Sequence, residues 1–325
     1  MSSVANVAIH PSQFPQAVQR DLLESLRTRR VNHKFHYDSV KQTQKWLALH
    51  QAYSPSRNDA DGTATYDAAF ASVDELNPGK GIHLLGLGCG GGQKDTRLLS
   101  RLQSRGAAVS YTPCDVSPAM VLVARAAALA VIPDEKCLPF VCDLATAHDL
   151  PDIFQRHHAP GTARLITFFG MIPNFEPDEI MPKLAALVRP SDWLLFSANL
   201  APGPDYTAGV QKVLPQYDNA LTREWLLTFL LDLGVERSDG EVRFSIEAEL
   251  DRKRIVARFH FVQGRTVEVG GESVLFQAGE SIRLFFSYRY TLNQVRALLA
   301  MEGLVVRAHW ETHSGEEGIF CCSRS

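Results

Sequence analysis

The feature that most constrains the fold is a glycine-rich turn between a strand-like run and a helical run. The turn is Gly86-Leu87-Gly88-Cys89-Gly90-Gly91-Gly92; it follows the apolar run His83 to Leu87 and precedes a helical pattern from Asp95 to Arg105. Glycine has no Cβ atom, so it permits a tight turn and a close approach of the backbone to a ligand. This order predicts the first unit of a wound α/β sheet, with a nucleotide-type ligand at the turn.

Strand-like and helical segments then alternate along the chain. The further strands are predicted to be short, apolar and buried on both faces, and they are Ala108 to Cys114, Leu138 to Cys142, Arg164 to Phe169 and Trp193 to Ser197. The helices between them are Pro118 to Ala130, Leu150 to His157 and Pro177 to Val188. Repeated alternation of this kind predicts right-handed crossovers and a parallel sheet.

The remaining segments have a different pattern. Helices are predicted within Pro15 to Leu49 and from Tyr66 to Val73, with a polar break between them that includes Asn58 to Thr63 and a turn at Asn77-Pro78-Gly79 after them. Beyond Pro202 we predict a helix from Thr222 to Leu233 and three antiparallel strands, which are Val242 to Leu250, Arg254 to Val262 and Thr266 to Val269. A helix from Leu292 to Glu302 and strands at Leu304 to Trp310 and Gly318 to Cys322 could close the main sheet.

Composition narrows the classes of partner. The chain has 325 residues, and 33 Lys and Arg against 36 Asp and Glu give a net charge of −3, so nucleic acid is not an expected partner. No apolar stretch approaches the ~20 residues that span a bilayer, so we expect a cytoplasmic monomer that acts on a small molecule and contacts no membrane. The six cysteines have no C-x-x-C spacing, which favours buried free thiols and predicts no metal site.

Two acidic residues and a lysine refine the choice of ligand. Asp115 ends the second predicted strand, where a carboxylate can accept hydrogen bonds from both ribose hydroxyls. Asp143 ends the third, a position that suits an adenine amino group, and Lys94 follows the turn, where it can meet the methionine carboxylate of S-adenosylmethionine. These residues favour S-adenosylmethionine over a nicotinamide dinucleotide. The alternative for Asp115 is a cap on the helix that begins near Ser117.

The chain resembles a known family over most of its length, from about Phe35 to the C-terminus. The matching stretches are Phe35-His36-Tyr37-Asp38, Tyr53-Ser54-Pro55-Ser56-Arg57, Gly88 to Leu99, Tyr111 to Ser117, Phe168 to Pro177, Tyr217-Asp218-Asn219 and Phe286-Ser287-Tyr288-Arg289-Tyr290. In this order and spacing, they resemble the histidine-specific methyltransferases of ergothioneine biosynthesis and the fungal enzymes that N-methylate dimethylallyltryptophan.

The resemblance implies an S-adenosylmethionine-dependent amino-acid Nα-methyltransferase. Its fold would be a Rossmann-like class I methyltransferase sheet, formed by residues 76–201 and 286–325, with an inserted α+β substrate-binding lobe at 202–285 and a helical arm at 1–75 that contributes to the substrate site. The cofactor-binding residues would be Gly86, Gly88, Gly90, Lys94, Asp115, Asp143 and Leu144. The substrate-binding residues would be Tyr37, Trp46, Tyr53, Gly170, Asn174, Tyr217, Ala257, Phe285 and Ser287.

Of these, Tyr37, Asn174 and Tyr217 are the candidate catalytic residues. Methyl transfer is an in-line displacement, so the protein mainly positions an uncharged amine and excludes water. Hydrogen bonds from tyrosine and asparagine can orient the lone pair of that amine and favour loss of the ammonium proton, and a strong base is not required.

Two substitutions in the substrate pocket depart from the histidine enzymes. Their acidic residue, which pairs with the imidazole, is replaced by Phe285, although Ser287 is retained, and Ala257 replaces a larger methionine. Phenylalanine cannot hydrogen-bond an imidazole nitrogen, and a site that lacks the partner of a polar substrate group loses discrimination worth roughly several kcal/mol. The alternative for Phe285 is a place in the core of the lobe. In the cofactor turn, Gly86 also stands where the family carries an acidic residue.

We therefore expect Nα-methylation of an aromatic amino acid, with tryptophan or a tryptophan derivative first. The alternative within the same class is histidine trimethylation toward ergothioneine, if Ser287 and ordered water replaced the missing carboxylate. From another class, the alternative is a non-catalytic S-adenosylmethionine-binding regulatory module, and a nicotinamide oxidoreductase is a third.

Overall fold

A computed structural model describes residues 4–53, 59–73, 81–156 and 161–325 of the chain. The predicted turn at Asn77-Pro78-Gly79 and residues Ser54 to Arg57 of the family-like stretch lie outside the described residues. The strands, numbered along the chain, are β1 (Ala8–Ile9), β2 (Ile82–Leu87), β3 (Val109–Asp115), β4 (Phe140–Val141), β5 (Ala163–Phe168), β6 (Trp193–Asn199), β7 (Gly240–Glu249), β8 (Arg252–Phe261), β9 (Arg265–Val269), β10 (Glu272–Phe276), β11 (Ser281–Arg289), β12 (Leu304–Glu311) and β13 (Glu317–Arg324).

The helices begin where proline, serine, threonine, asparagine or aspartate stands near the first turn in most cases. Numbered in the same way, they are α1 (Pro15–Arg27), α2 (Val40–Tyr53), α3 (Ala60–Ser72), α4 (Gln93–Ser104), α5 (Pro118–Ala128), α6 (Leu150–Arg156), α7 (Pro177–Leu187), α8 (Tyr206–Tyr217), α9 (Ala220–Asp232) and α10 (Leu292–Met301). Within the described ranges, no helix is both long enough and apolar enough to cross a membrane.

The main sheet confirms the predicted wound α/β fold. Its eight strands lie in the order β1-β4-β3-β2-β5-β6-β13-β12, and all neighbours from β1 to β6 are parallel. The chain runs outward from β2 in one direction through β3 and β4, and in the other through β5 and β6. Ligands of wound sheets bind at the carboxyl edge where this direction changes. That edge lies beside the glycine turn, which directly follows β2.

The two C-terminal strands join the main sheet as expected. β13 pairs antiparallel with β6, and β12 pairs antiparallel with β13. A second, three-stranded antiparallel sheet has the order β11-β8-β7, and β9 and β10 form a separate hairpin. β11 is hydrogen-bonded to β8 from Ser281 to Arg289, so the boundary predicted between residues 285 and 286 lies inside a continuous strand.

Several local predictions were wrong. The N-terminal arm is not only helical, because β1 pairs in parallel with β4 at the edge of the main sheet. The polar segment before Tyr66 is not a break throughout, because α3 begins at Ala60, where the carboxylate of Asp59 accepts hydrogen bonds from the amides of Asp61 and Gly62. Helix α8 and strands β10 and β11 were not predicted, and β4 is shorter than expected.

The core has separate clusters on each side of the site. The main sheet packs its helices on both faces, with Phe168 and Phe196 among the fully buried side chains. A second cluster joins α9 and the three-stranded sheet to the N-terminal arm, and it contains Phe35, Trp225 and Phe285. The arm and the lobe thus share one hydrophobic core, and that core borders the carboxyl edge of the main sheet.

Candidate functional site

A cavity of about 840 Å³ lies at the carboxyl edge of the main sheet. Small-molecule sites have volumes of roughly 300–1,000 Å³, so this cavity can hold a cofactor and a small substrate together. Thirteen of the predicted site residues line it, and these are Tyr37, Trp46, Tyr53, Gly88, Gly90, Lys94, Asp115, Asp143, Leu144, Gly170, Asn174, Tyr217 and Phe285. Gly86, Ala257 and Ser287 are not among the lining residues, and all three are buried.

The glycine turn has the backbone geometry that its sequence predicts. Gly88, Gly90 and Gly92 have φ angles of 63°, 51° and 71°, a region that other residues rarely adopt. A Cβ atom at Gly92 would lie 2.7 Å from the Cα atom of Ala124 in α5, so this glycine also allows two helices to pack closely. At Gly88, a Cβ atom would overlap the side chain of Met171. The backbone conformation and the close packing around the turn therefore both require glycine at residues 88 and 92.

Asp115 connects the glycine turn to the second strand. Its Oδ2 atom accepts from the amide of Gly90 at 3.0 Å, and its Oδ1 atom accepts from the amide of Ser117 at 3.0 Å. Burial raises the pKa of Asp115, and three backbone hydrogen bonds oppose that shift. The helix cap itself is Ser117, whose hydroxyl accepts from the amide of Met120. Asp115 thus does more than cap a helix, since each of its oxygens keeps acceptor capacity at the cavity wall.

Lys94 already has acidic and aromatic partners in the structure. Its ammonium lies 2.7 Å from the hydroxyl of Tyr66 and 3.7 Å from Oε1 of Glu317, and Tyr66 also donates to Glu317. Burial lowers the pKa of Lys94, while Glu317 raises it. Lys94 and Glu317 both line the cavity, so this end of the cavity presents both a cation and an anion.

Asp143 is held by the N-terminal arm. The buried ammonium of Lys34 donates to Asp143 Oδ2 at 3.1 Å and to Asp21 Oδ2, in α1, at 2.6 Å. The other oxygen of Asp143 accepts from the amide of Ala145, and its own amide donates to Ser12. Asp143 still lines the cavity, but with both carboxylate oxygens partnered its first role in the structure is to anchor the arm to the cofactor edge.

Asn174 and Gly170 follow β5 and face the other half of the cavity. The Asn174 amide nitrogen donates to the carbonyl of Phe286 at 2.7 Å, and Asn174 lines the cavity. A carbonyl can only accept, so this bond fixes which end of the Asn174 amide is the donor. The Oδ1 atom of Asn174 is therefore the end that can accept from a ligand. The amide of Gly170 donates to Ser197 at 2.9 Å, which fixes the loop.

Aromatic side chains from the arm and α9 enclose this half of the cavity. The ring of Tyr37 lies 5.6 Å from that of Trp225 and 5.9 Å from that of Trp46. Trp46 stacks on His50 at 4.7 Å and lies against Gly90, where it covers the cofactor turn as well as the substrate half. Burial, with a smaller contribution from Asp115, raises the pKa of Tyr37. Tyr37 is thus a neutral phenol at physiological pH.

Phe285 lies in the wall of the cavity between two other aromatic rings. Its ring centroid is 5.9 Å from that of Trp225 and 6.1 Å from that of Tyr217. Phe285 belongs to the lobe's hydrophobic cluster and also lines the cavity. It is therefore both a core residue of the lobe and part of the cavity wall. Ala257 is directly opposite Phe285 in the β8–β11 pairing and is fully buried. Ala257 belongs to the hydrophobic core of the lobe and is not among the cavity-lining residues, and its contact with a substrate stays a prediction.

A polar cluster lies beside the aromatic wall. The hydroxyls of Tyr217 and Ser287 are 2.9 Å apart, and Nη2 of Arg289 donates to the Tyr217 hydroxyl at 2.9 Å. The other terminal nitrogen of Arg289 donates to the carbonyl of Leu200 at 3.1 Å. Tyr217 and Arg289 line the cavity, whereas Ser287 is buried behind the lining and contacts the hydroxyl of Tyr217.

Sequence reasoning missed four lining residues that shape the site, which are His33, Trp225, Arg289 and Glu317. Burial lowers the pKa of His33 to about 4, and its ring packs edge-on against Phe175. Trp225 lies in a helix that is apolar on nearly every side, a pattern that marks a buried helix but not a pocket. Arg289 had a usable signal, because an arginine within the apolar run of β11 requires a polar partner.

S-adenosylmethionine fits the half of the cavity beside the turn. The glycine turn lets a ligand approach the backbone closely, the Asp115 oxygens can accept from hydroxyl groups, and Lys94 offers a positive charge to the carboxylate of an amino-acid end. The aromatic half, with Asn174 at its edge, remains for a substrate.

Comparisons with known proteins identify the family of the chain. The profile of a family described as histidine-specific, S-adenosylmethionine-dependent methyltransferases matches residues 18–324. The N-methyltransferase imqF of Aspergillus flavus is 22% identical over 274 residues, which cover 82% of this chain and 73% of that protein.

Two of the solved structures that align with the chain are methyltransferases. An S-adenosylmethionine-dependent methyltransferase from Clostridium acetobutylicum is 13% identical with a TM-score of 0.47, over 87% of this chain and 98% of that one. Magnesium protoporphyrin IX methyltransferase from Synechocystis, with bound S-adenosylhomocysteine, is 13% identical with a TM-score of 0.47, over 88% of this chain and 95% of that one.

Proposed function

The chain belongs to the histidine-specific, S-adenosylmethionine-dependent methyltransferases, and we propose that it methylates the α-amino nitrogen of an aromatic amino acid, tryptophan or a tryptophan derivative first. S-adenosylmethionine supplies the methyl group when bound. The family's dependence on this cofactor also excludes the nicotinamide alternative. The proposal about the substrate is carried by one observation, which is the position of Phe285 in the cavity wall.

The wall around Phe285 suits an aromatic ring. Trp225 and Tyr217 flank it at centroid distances of 5.9 and 6.1 Å, so a substrate ring that enters there meets aromatic faces and edges. Such aromatic contacts contribute about 0.5–1.5 kcal/mol each beyond the burial of apolar area. A charged or strongly polar ring would lose its hydration at this wall without a hydrogen bond in return. The indole ring is the largest apolar ring among the common amino acids, and it has only one donor to satisfy.

The proposed reaction needs an oriented, uncharged amine. The Asn174 Oδ1 atom accepts an N–H of the amine and so directs the lone pair, because the Asn174 amide is itself fixed by the carbonyl of Phe286. The neutral phenol of Tyr37 adds a second polar group on the arm side. The rings of Tyr37, Trp46 and Trp225 exclude water, which favours the uncharged form of the amine over the ammonium.

Histidine trimethylation is the second candidate, and a specific observation supports it. The Tyr217 and Ser287 hydroxyls form a polar pair next to Phe285, and Arg289 donates to that pair. Tyr217 lines the cavity and can offer its hydroxyl to an imidazole nitrogen. This contact would have to replace the carboxylate that the chain lacks at residue 285, so we rank histidine below tryptophan.

The deciding experiment is a side-by-side assay of the purified full chain. We would incubate it with S-adenosylmethionine and each of the common amino acids, then count added methyl groups by mass spectrometry and compare kcat/KM for tryptophan and histidine. Methylated tryptophan at the higher kcat/KM supports the proposal. A higher kcat/KM for histidine contradicts it in favour of the second candidate. Cofactor binding in a calorimeter without any methylated amino acid would support the non-catalytic alternative.

A further inference from the structure

A buried carboxylate occupies the space above Gly86. A Cβ atom at residue 86 would overlap the Oδ2 atom of Asp95, which reaches back from the first turn of α4 over the end of β2. Tyr111 would lie 3.1 Å from the same Cβ atom. Residue 86 must therefore be a glycine as long as Asp95 holds this place. The resembling enzymes carry their acidic residue on the strand at this position, and in this chain a carboxylate reaches the same region from the helix.

Asp95 is buried, and its direct hydrogen-bond partners are neutral, although the charge of Lys94 partly offsets the effect of burial on its pKa. Its side chain accepts from the hydroxyl of Tyr111 at 2.7 Å and from that of Thr167 at 2.8 Å, and both donors are neutral. Within the part of the chain that the structure describes, no basic side chain forms an ion pair with Asp95; the neighbouring Lys94 pairs with Glu317. Burial raises the pKa of Asp95 to about 6. A charge held in this way is costly unless a ligand neutralises it.

The place of Asp95 identifies the ligand group. Asp95 lines the cavity together with Gly88 and Lys94, and we place the amino-acid part of the cofactor at this end of the cavity. That part of S-adenosylmethionine carries one carboxylate and one ammonium. Lys94 and Asp95 are adjacent in sequence and have opposite charges, so together they match both groups. If the cofactor ammonium did not lie beside Asp95, this acidic residue would only repel the cofactor carboxylate.

We propose that Asp95 binds the ammonium group of S-adenosylmethionine, in place of the strand carboxylate that Gly86 replaces. The inference concerns the cofactor alone, so it is independent of the amino acid that the protein methylates. Each oxygen of Asp95 has one neutral donor and keeps further acceptor capacity for an ammonium. Tyr111 and Thr167 fix the carboxylate in position for it.

Calorimetric binding of three cofactor analogues to the Asp95→Asn variant tests this assignment. S-adenosylhomocysteine has both charged groups, decarboxylated S-adenosylmethionine keeps only the ammonium of the amino-acid end, and 5′-methylthioadenosine has neither. We expect the Kd of the first two to rise at least tenfold, because the ammonium loses its counter-ion, while the Kd of 5′-methylthioadenosine changes less than twofold. Asp67→Asn, an exposed carboxylate on α3, is the matched control and should leave all three unchanged.

Equal losses for all three ligands would show that Asp95 only supports the fold, and an unchanged Kd for the first two would also overturn the proposal. The double variant Gly86→Asp with Asp95→Ala adds a rescue test, since removing Asp95 makes room for a side chain at residue 86. It should bind S-adenosylhomocysteine more tightly than Asp95→Ala alone.

If Asp95→Asn does not fold, the unmodified protein still gives an answer. Its affinity for S-adenosylhomocysteine should fall between pH 7 and pH 5, and its affinity for 5′-methylthioadenosine should not.

Discussion

His36 donates from Nε2 to the carbonyl of Leu284 at 2.7 Å, and Leu284 is the extra residue of a β-bulge. Arg283 and Phe285 of β11 pair with consecutive residues of β8, so the register shifts by one residue and Leu284 has no partner on β8. Bulges re-aim neighbouring side chains, and the next residue, Phe285, faces the cavity. The backbone carbonyl of His36 also accepts a hydrogen bond from the indole N–H of Trp225 at 2.8 Å. The arm thus holds two aromatic residues of the substrate wall.

The first prediction is that His36→Phe destabilises the bulge. An aromatic ring is kept, although a somewhat larger one, but the Leu284 carbonyl loses its donor, and leaving a buried acceptor unsatisfied costs about 1–3 kcal/mol. We expect the free energy of unfolding in urea to fall by that amount and the KM of the amino-acid substrate to rise. His36→Gln keeps a terminal donor and should recover part of both effects. Equal stability of His36→Phe and the unmodified protein would show that the bond is unimportant.

The second prediction concerns Phe285. Phe285→Glu places an acceptor beside Tyr217 and Trp225, where an imidazole could use it and an indole face could not. We expect the ratio of kcat/KM for histidine to that for tryptophan to rise at least tenfold. Phe285→Leu removes the ring without adding an acceptor, so it should lower turnover of tryptophan and not increase that of histidine. If neither variant changes the ratio, Phe285 does not contact the substrate.

The main sheet could be predicted from sequence because parallel strands are buried on both faces and are therefore continuous apolar runs. Helix α8 could not, because Gly209 and Pro215 lie inside it and both lower helix propensity. Its stability comes instead from tertiary packing, with Val210 and Val213 fully buried against β8. Local propensity contains no information about such contacts.

The part of the site that follows the ends of parallel strands could also be predicted from sequence. Asp115 and the glycines follow strands, and the ends of parallel strands meet at one edge, so their convergence follows from the order of elements. The bulge at Leu284 leaves no mark in the apolar run Leu284-Phe285-Phe286, and without it the face on which Phe285 lies cannot be assigned. The contact between Asp95 and Gly86 depends on how α4 packs over β2, a long-range feature that spacing does not contain.

The third prediction concerns Asn174. Asn174→Ala removes the acceptor that we assign to the substrate amine, and positioned polar groups of this kind contribute roughly 10²–10⁴-fold to rate. We expect kcat to fall about 100-fold, while the Kd of S-adenosylhomocysteine changes less than twofold because Asn174 lies outside the cofactor turn. Rapid-quench measurement of the methylated amino acid gives the rate, and calorimetry with S-adenosylhomocysteine on the same preparation gives the Kd, so the two effects can be separated. If only cofactor binding were lost, Asn174 would contact the cofactor and not the substrate amine.

The fourth prediction is a pH dependence of stability that Asp95 introduces. Its pKa is raised to about 6 in the folded chain without cofactor, so the folded state binds more protons than the unfolded state between about pH 4 and pH 6. The contribution of Asp95 to stability is therefore lost as pH rises through that window, and the cost at pH 7.5 is about 3 kcal/mol. Relative to the unmodified protein, Asp95→Asn should gain stability from pH 4 to pH 7.5. Urea unfolding of both proteins at each pH measures the difference; a constant difference would show that Asp95 does not titrate in this range.

The fifth prediction contrasts two lysines of the N-terminal arm. Lys34 is 2% exposed and bridges Asp21 and Asp143, whereas Lys41 is 55% exposed and pairs with Asp232. Removing one partner of a buried ion pair leaves an uncompensated charge and costs about 3–5 kcal/mol, but an exposed pair contributes only about 0–1 kcal/mol. Lys34→Met should therefore lower the free energy of unfolding far more than Lys41→Met. Because Asp143 lines the cavity, Lys34→Met should also raise the Kd of S-adenosylhomocysteine, which Lys41→Met should not. Similar stability and affinity for the two variants would mean that the arm is held to the cofactor edge by its apolar contacts alone.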